Sequence, residues 1–278
     1  MEIAIADDID KKAEQYGGEL RGGIVDRQWL LTGEAADGLT FRFYRSRYRE
    51  GEEAFESPRH HHAFQQLRWA ESGSINYGPG QDIPEGDLCY FPKGAWYGPQ
   101  RKDHGSSFLL QFGMGDEMPG VDAAAKMSGA GSAEEQALRA ERLKGRGAVV
   151  DPGDAKPERN PKRPPAPERF AAPILLHPGN FAYHLAAPGV EIKHMGRFYD
   201  QPGPNGDLRL SMIRLSEGAD YRFDAERAQL AWSTKPGLRI DGRAYPKTTC
   251  LYSPRDEEAL IAVEGELELY LVEFPRID

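Results

Sequence analysis

The feature that most constrains this chain is a series of short, β-rich runs cut apart by Gly, Pro and Asp. Leu39–Tyr44 is rich in β-formers and alternates in part. Phe64–Ala70 and Ser74–Tyr77 follow, the latter set between Gly73 and Gly78. Asp87–Phe91 comes after the turn Pro84-Glu85-Gly86, and Phe108–Phe112 after another polar turn. Short strands at regular spacing, with turn residues between them, predict a β-sandwich or barrel.

The pattern stops at Gly113. Ala133–Lys144 is built from good helix formers, with Ser132 at the N-cap and Glu135 at the capping-box position. Asp151–Pro167 is loaded with Pro, Lys, Arg and Glu and reads as an extended linker. A second β-rich region starts near Ile174. In it, Leu208–Leu215 alternates at first, and Leu267–Phe274 places Leu267, Leu269 and Leu271 on one face. The expected division is therefore a β-domain over 1–115, a helix and linker over 116–170, and a second β-domain over 171–278. Their similar size and turn spacing suggest a degenerate internal duplication.

The 278 residues suffice for two ordinary domains with real cores. Net charge is −9, and the Arg-rich stretches are interleaved with acids or aromatics, which argues against nucleic acid and anionic membrane as partners. No apolar run approaches the length of a membrane span, and the first residues do not read as a secretory leader. Cys89 and Cys250 are the only cysteines and sit in strand-like runs, as buried structural thiols do. The expected location is cytoplasmic.

Chemistry concentrates in Arg59-His60-His61-His62. On a strand, His60 and His62 share a face and His61 points the other way. Two imidazoles on one face can hold a transition metal through neutral ring nitrogens. Beyond His62 come Gln66 and Gly73, and then a second group: Gly86, Pro92, Gly94 and Tyr97.

This spacing resembles the two motifs of the cupin family: His-x-His, Glu and Gly, followed by Gly, Pro-x-Gly and His. The resemblance implies an all-β fold of two jelly-roll barrels, a bicupin, joined by the helical, Pro-rich segment. It also implies a site inside the first barrel. Two ligand positions depart from the family pattern, since Gln66 replaces its Glu and Tyr97 its last His. Three arrangements stay open. In one, a single divalent metal (iron first, then manganese, nickel, copper or zinc) is held by His60, His62, Gln66 and Tyr97 as phenolate. In another, His60, His62 and waters hold it while Tyr97 acts as acid or base. In the third there is no metal.

Arg68 has the same parity as Gln66 and is expected to face inward; Gln65 and Trp69 are not. Gln66, Arg68, Tyr77 and Trp96 are the expected substrate contacts, and His62 and Tyr97 the expected catalytic pair. His104 reads as a loop residue that could reach the rim. In the second β-region, Asp224 and Glu226 fall at the His-x-His spacing. Leu230 falls at the carboxylate position, Gly237 at the closing glycine, Asp256 at a glycine and Ala259 at the last histidine. Leu and Ala bind no metal, so this half reads as a structural copy. His177, His184 and His194 lack ligand spacing.

The resemblance implies a metal-dependent enzyme of dioxygenase type acting on a small organic substrate, aromatic or planar given the aromatics around the site. The alternatives are metal-free isomerisation, cyclisation or elimination by His and Tyr, and non-catalytic binding of a small molecule. A homodimer through barrel edges is the expected assembly.

Overall fold

The computed structural model describes residues 1–18, 21–114, 117–118, 148–150, 170–199 and 206–277. The expected helix over 133–144 and the linker over 151–167 lie outside the described residues. The chain divides into two compact units. One comprises Lys11–Thr32 and Thr40–Leu176, and the other Met1–Asp10, Gly33–Leu39 and His177–Asp278.

In the N-terminal unit, a long antiparallel sheet runs in the order Gln100–Lys102, Phe55–Ser57, Arg21–Ala36, Leu39–Tyr48, Ser106–Met114, Gln65–Ser72, Leu88–Phe91, Ile174–Leu176. Lys12–Gly18 also pairs with Arg21–Ala36. Register fixes which side chains share a face. Gln66 lies opposite Phe91 and Gln111, and Arg68 opposite Cys89 and Leu109. Phe91 and Cys89 belong to the buried cluster with Tyr48, Phe55, Tyr77 and Tyr97, so this is the inner face. Trp69 and Phe108 point the other way, 5.3 Å apart. The predicted strands are all present, some longer than expected. The 16-residue strand Arg21–Ala36 is one the sequence did not announce, because its apolar residues do not alternate over its length.

The C-terminal unit has a seven-stranded antiparallel sheet in the order Glu2–Ile5, Thr249–Ser253, Gln229–Ser233, Leu267–Glu273, Leu208–Leu215, Val190–Phe198, His184–Ala187. A four-stranded sheet contributes Leu238, Ile240, Ile261 and Val263 to the same core as Ile213, Leu251, Leu269 and Leu271. The alternation read in Leu267, Leu269 and Leu271 puts all three in that core. Trp232 and Tyr270 stack 5.0 Å apart on the opposite face.

The units differ from a contiguous 1–115 and 171–278 division at both ends. Glu2–Ile5 pairs with Thr249–Ser253, and the hairpin tip Gly33–Leu39 is tied to that strand by Tyr252 Oη donating to the Glu34 carbonyl at 2.8 Å. In turn, Ile174–Leu176 pairs with Leu88–Phe91. Strand pairing depends on free sheet edges, which sequence order does not mark. Among the described residues, no helix is long and apolar enough to cross a membrane.

Cys89 and Cys250 are free and buried, and burial pushes the Cys89 thiol up from its ordinary value. Both should resist a thiol reagent in the native protein and react once it is unfolded. Deleting residues 1–8 removes a paired strand and buried Ala4 and Ala6. The melting temperature should drop by at least ~2–4 °C, the shift that ~1 kcal/mol causes in a domain of 150–250 residues. Unchanged melting would mean that the pairing contributes nothing.

Candidate functional site

His60–His62 is a three-residue strand joined on one side to the turn that carries the second motif. The His60 N–H donates to the Tyr97 carbonyl at 2.9 Å, and the Tyr97 N–H returns a bond to His60 at 3.0 Å. Gly94 N–H donates to the His62 carbonyl at 2.9 Å. Gly94 has φ of 78°, which favours glycine at this turn. The opposite edge pairs in backbone with Ala148–Val150. Two short pieces far apart in sequence thus bring His60 and Tyr97 together, their rings tilted by 53° with centroids 4.5 Å apart.

His60 is buried, and its Nδ1 lies 2.7 Å from the Pro58 carbonyl, with Ser57 Oγ at 3.3 Å. A carbonyl only accepts, so the proton sits on Nδ1 and the lone pair on Nε2. The His62 ring stands nearly perpendicular to that of His60 at 4.9 Å, and 5.7 Å from Tyr97. Phe64 stacks on His62 at 4.5 Å. Phe91 completes the wall, 4.6 Å from Tyr97, and Tyr77 meets Phe91 edge-on at 5.6 Å. Burial raises the Tyr77 phenol pKa, with Cys89 and Asp82 adding to it.

A chain of three side chains sets the orientation of Gln66. Arg42 Nε donates to Gln111 Oε1 at 2.5 Å, and Gln111 Nε2 donates to Gln66 Oε1 at 2.8 Å. Arginine has no acceptor, so it dictates which way Gln111 turns, and Gln111 then dictates Gln66. The buried Gln66 Nε2 is left without a partner. Gln66 therefore presents an N–H donor where the family has a carboxylate.

Arg68 is buried on the inner face, as its parity predicts, with its guanidinium 5.2 Å from the Phe91 ring centre. Gln65 faces away and accepts from Tyr90 Oη and the Lys93 N–H. Trp96 is the correction among the expected substrate contacts. It packs on His61 at 4.5 Å and under Arg59, on the face opposite His60 and Tyr97, because neighbouring residues alternate. His104 is exposed and bonded to Asp103, and so stays a loop residue. Reading the sequence missed Arg42 and Gln111. Their signal was parity, since Arg42 alternates with Phe41 and Phe43, and Gln111 with Leu110 and Phe112.

No protein-family model matches the chain, and no curated protein matches it in sequence. Solved structures do. A protein from Nostoc punctiforme PCC 73102, provisionally named a dioxygenase, aligns with a TM-score of 0.65 at 11% identity, over 99% of this chain and 82% of its own. A variant of Bacillus subtilis oxalate decarboxylase aligns with a TM-score of 0.54 at 14% identity, over 99% and 77%. The chain has a cupin fold.

Within that fold, the C-terminal unit repeats the N-terminal backbone pattern. Phe223 N–H donates to Ala259 O at 2.9 Å, as His60 does to Tyr97, and Asp256 N–H donates to Ala225 O at 2.8 Å, as Gly94 does to His62. Gln229 lies opposite Ser253 and Glu273, as Gln66 lies opposite Phe91 and Gln111. This shifts the expected correspondence by one residue. Phe223 and Ala225, rather than Asp224 and Glu226, take the places of the histidines, and Gln229, rather than Leu230, takes that of Gln66. Asp224 and Glu226 are exposed in a turn, where the Glu226 N–H donates to Asp224 Oδ1. Asp256 adopts φ of 65° at the glycine position, a conformation Asp tolerates better than most residues.

The cupin fold implies a metal, and the donor set can be tested against one. His60 and His62 suit a divalent ion. Gln66 does not complete the set, because its oxygen is engaged by Gln111. Among the described residues, no group of three or more His, Cys, Asp or Glu converges. The described residues thus do not reproduce the four-ligand set of the family. A cleft of about 400 Å³ in the C-terminal unit is lined by His194, Arg197, Arg209 and Glu273, and draws on none of these residues.

His61 is half-buried, and desolvation holds its pKa below the usual value. The fold therefore favours the neutral ring. That contribution is complete above pH ~6.5, the unfolded value, and is lost as pH falls below it. In urea unfolding at pH 7 and pH 5, His61→Gln should lose less stability between the two than the parent protein.

Proposed function

We propose that the chain is a bicupin whose N-terminal barrel is a small-molecule enzyme working by proton transfer, and whose C-terminal barrel is a degenerate duplicate without chemistry. The observation that carries the reading is the difference between equivalent positions. Where one barrel buries His60 and Tyr97, the other buries Phe223 and Ala259. The fold accepts apolar residues there, so the polar pair is not a requirement of packing.

His60 is the base. With its Nδ1–H bonded to Pro58, its Nε2 is the nitrogen that would take a proton from a bound substrate. Tyr97 is the acid, giving its phenolic proton to another atom of the same substrate. One proton leaves and one arrives, which is the balance of an isomerisation, a cyclisation or an elimination. Half-buried His62 lies beside both rings and is suited to returning protons to solvent. Gln66 Nε2 and Tyr77 are further substrate contacts in this reading.

A second reading is a metal-dependent dioxygenase. It is favoured by the two adjacent imidazoles and by the Nδ1–H···O=C bond of His60, an arrangement typical of ligating histidines. In either case the proposal includes a cytoplasmic location, which two free thiols suit. It also includes a homodimer, for which the exposed edge strand His184–Ala187 offers a pairing surface.

The deciding experiment incubates the protein with a metabolite extract under ¹⁸O₂, with and without chelator, and follows consumption by mass spectrometry. Proton-transfer chemistry predicts products of unchanged mass, or ones lacking a small leaving group, with turnover unaffected by chelator. His60→Ala and Tyr97→Phe should each lower it by ~10²–10⁴-fold. Incorporation of two ¹⁸O atoms, abolished by chelator and by His60→Ala/His62→Ala, would overturn this reading in favour of the dioxygenase.

A further inference from the structure

We infer that the substrate is a carbonyl compound with an acidic C–H beside the carbonyl, and that Gln66 Nε2 donates to its oxygen as negative charge develops there. Gln111 and Arg42 are positioning residues for that donor. The inference rests on the proposed function for the proton transfer itself and adds where the resulting charge goes.

Gln66 is 1% exposed, and its Nε2 has no hydrogen-bond partner. Its Oε1 accepts from Gln111 Nε2 at 2.8 Å, and Gln111 Oε1 accepts from Arg42 Nε at 2.5 Å. The nitrogen and oxygen of an amide diverge, so Nε2 is turned away from the strand that carries Gln111. A buried donor left unpaired is costly, and it is explained where a ligand supplies the missing acceptor. Arg42 also strengthens the donor, because each bond in a chain of hydrogen bonds polarises the next.

The C-terminal unit holds a glutamine at the same place, turned the other way. Gln229 stands where Gln66 does, and Glu273 where Gln111 does. Gln229 is fully buried; its Nε2 donates to the Asp224 carbonyl at 3.0 Å, and its Oε1 has no partner. Glu273, unlike Gln111, has no N–H to turn toward that oxygen. The fold therefore accommodates either orientation of this amide. What differs in the N-terminal unit is a neighbour that pins the oxygen and leaves the nitrogen to show.

Two lines of contact connect the donor to the acid and the base. On one side, Phe91 lies opposite Gln66 on the next strand and 4.6 Å from the Tyr97 ring, which is 4.5 Å from His60. On the other, Arg42 lies 5.5 Å from the Phe64 ring, which stacks on His62 at 4.5 Å. The lines close through the His60–His62 contact at 4.9 Å. Donor, base and acid thus border one region of the N-terminal unit.

That arrangement selects the substrate class. A neutral imidazole removes a proton from carbon where the electron pair left behind can pass to oxygen. As His60 Nε2 takes the proton, the C–H pair forms a C=C bond and the carbonyl π pair moves onto oxygen, giving an enolate. Gln66 Nε2 donates more strongly to that oxygen than to the neutral carbonyl, so it lowers the barrier as well as holding the substrate. The C=O bond then re-forms. In an isomerisation, a carbon of the enolate takes the phenolic proton of Tyr97. In an elimination, the C=C pair shifts toward the next carbon, and the leaving group departs with its bonding pair and the Tyr97 proton.

Two measurements test the inference. The first follows, by NMR, deuterium entry from D2O beside the carbonyl of pyruvate, dihydroxyacetone and acetophenone. At least one should exchange with the parent protein and not with His60→Ala. Gln111→Glu keeps the shape but removes the N–H that holds Gln66 Oε1. It and Gln66→Leu should each lower kcat for exchange by ~10²–10³-fold with KM little changed, the loss typical of one oxyanion donor. Arg42→Met should change the rate in the same direction, and Arg42→Lys, which keeps a donor, should restore it. The second measurement uses 4-nitrophenol, a planar enolate analogue whose anion is read by its visible absorbance. Its acid dissociation constant when bound should be about tenfold or more larger in the parent than in Gln66→Leu or Gln111→Glu, as one hydrogen bond to a charged group provides. A loss of folding would change how much is bound, not the ionisation of what is bound. If Gln66→Leu does not fold, Gln111→Glu carries the same comparison. Exchange of none of the three carbonyl compounds, exchange undiminished in the variants, or no difference in bound 4-nitrophenol would overturn the inference. Exchange lost in His60→Ala but kept in Gln66→Leu would do so while leaving the proton-transfer reading in place. Two ¹⁸O atoms in the isotope experiment would remove that reading and the inference with it.

Discussion

Everything in the candidate site depends on three backbone hydrogen bonds, those that tie His60 to Tyr97 in both directions and Gly94 to His62. They fix the parity of two short segments at once. His60, His62 and Tyr97 come to one side, while His61 and Trp96 go to the other. A one-residue slip would reverse both sets and replace two aligned imidazoles with one. The positive φ of Gly94 lets the turn close at that register.

The second level of organisation is polar and starts from a group that can only donate. Arg42 orients Gln111, Gln111 orients Gln66, and the last amide is left showing nitrogen. A neutral side chain at the carboxylate position of a cupin need not be a weakened metal ligand. Here Gln111 turns it so that it presents a hydrogen-bond donor on the inner face.

The two units act as a control for each other. Their backbone pairings coincide at the motif strands, yet one interior holds His60, Arg68 and Tyr97, and the other Phe223, Ala231 and Ala259. The C-terminal interior packs as an ordinary apolar core. The N-terminal interior departs from that solution at several inward positions, and such local departures from packing rules are expected where a protein does chemistry.

Much of this was legible along the chain. Turn residues at short intervals announce a β-barrel, and the spacing of His60, His62, Gln66, Gly73, Pro92, Gly94 and Tyr97 points to one candidate site, because short strands and their turn have fixed lengths. Strand parity also places Arg68 inside and Trp69 outside. The sequence by itself therefore determined the fold class, the histidine pair and the side of the sheet on which each neighbour lies. It did not determine which distant segments meet. The pairing of Glu2–Ile5 with Thr249–Ser253, the one-residue shift that puts Phe223 rather than Asp224 in the place of His60, and the chain from Arg42 through Gln111 to Gln66 were decided by tertiary structure. The reason is physical. Alternation is a property of one strand, whereas register between strands and the side-chain contacts it creates are properties of the whole sheet.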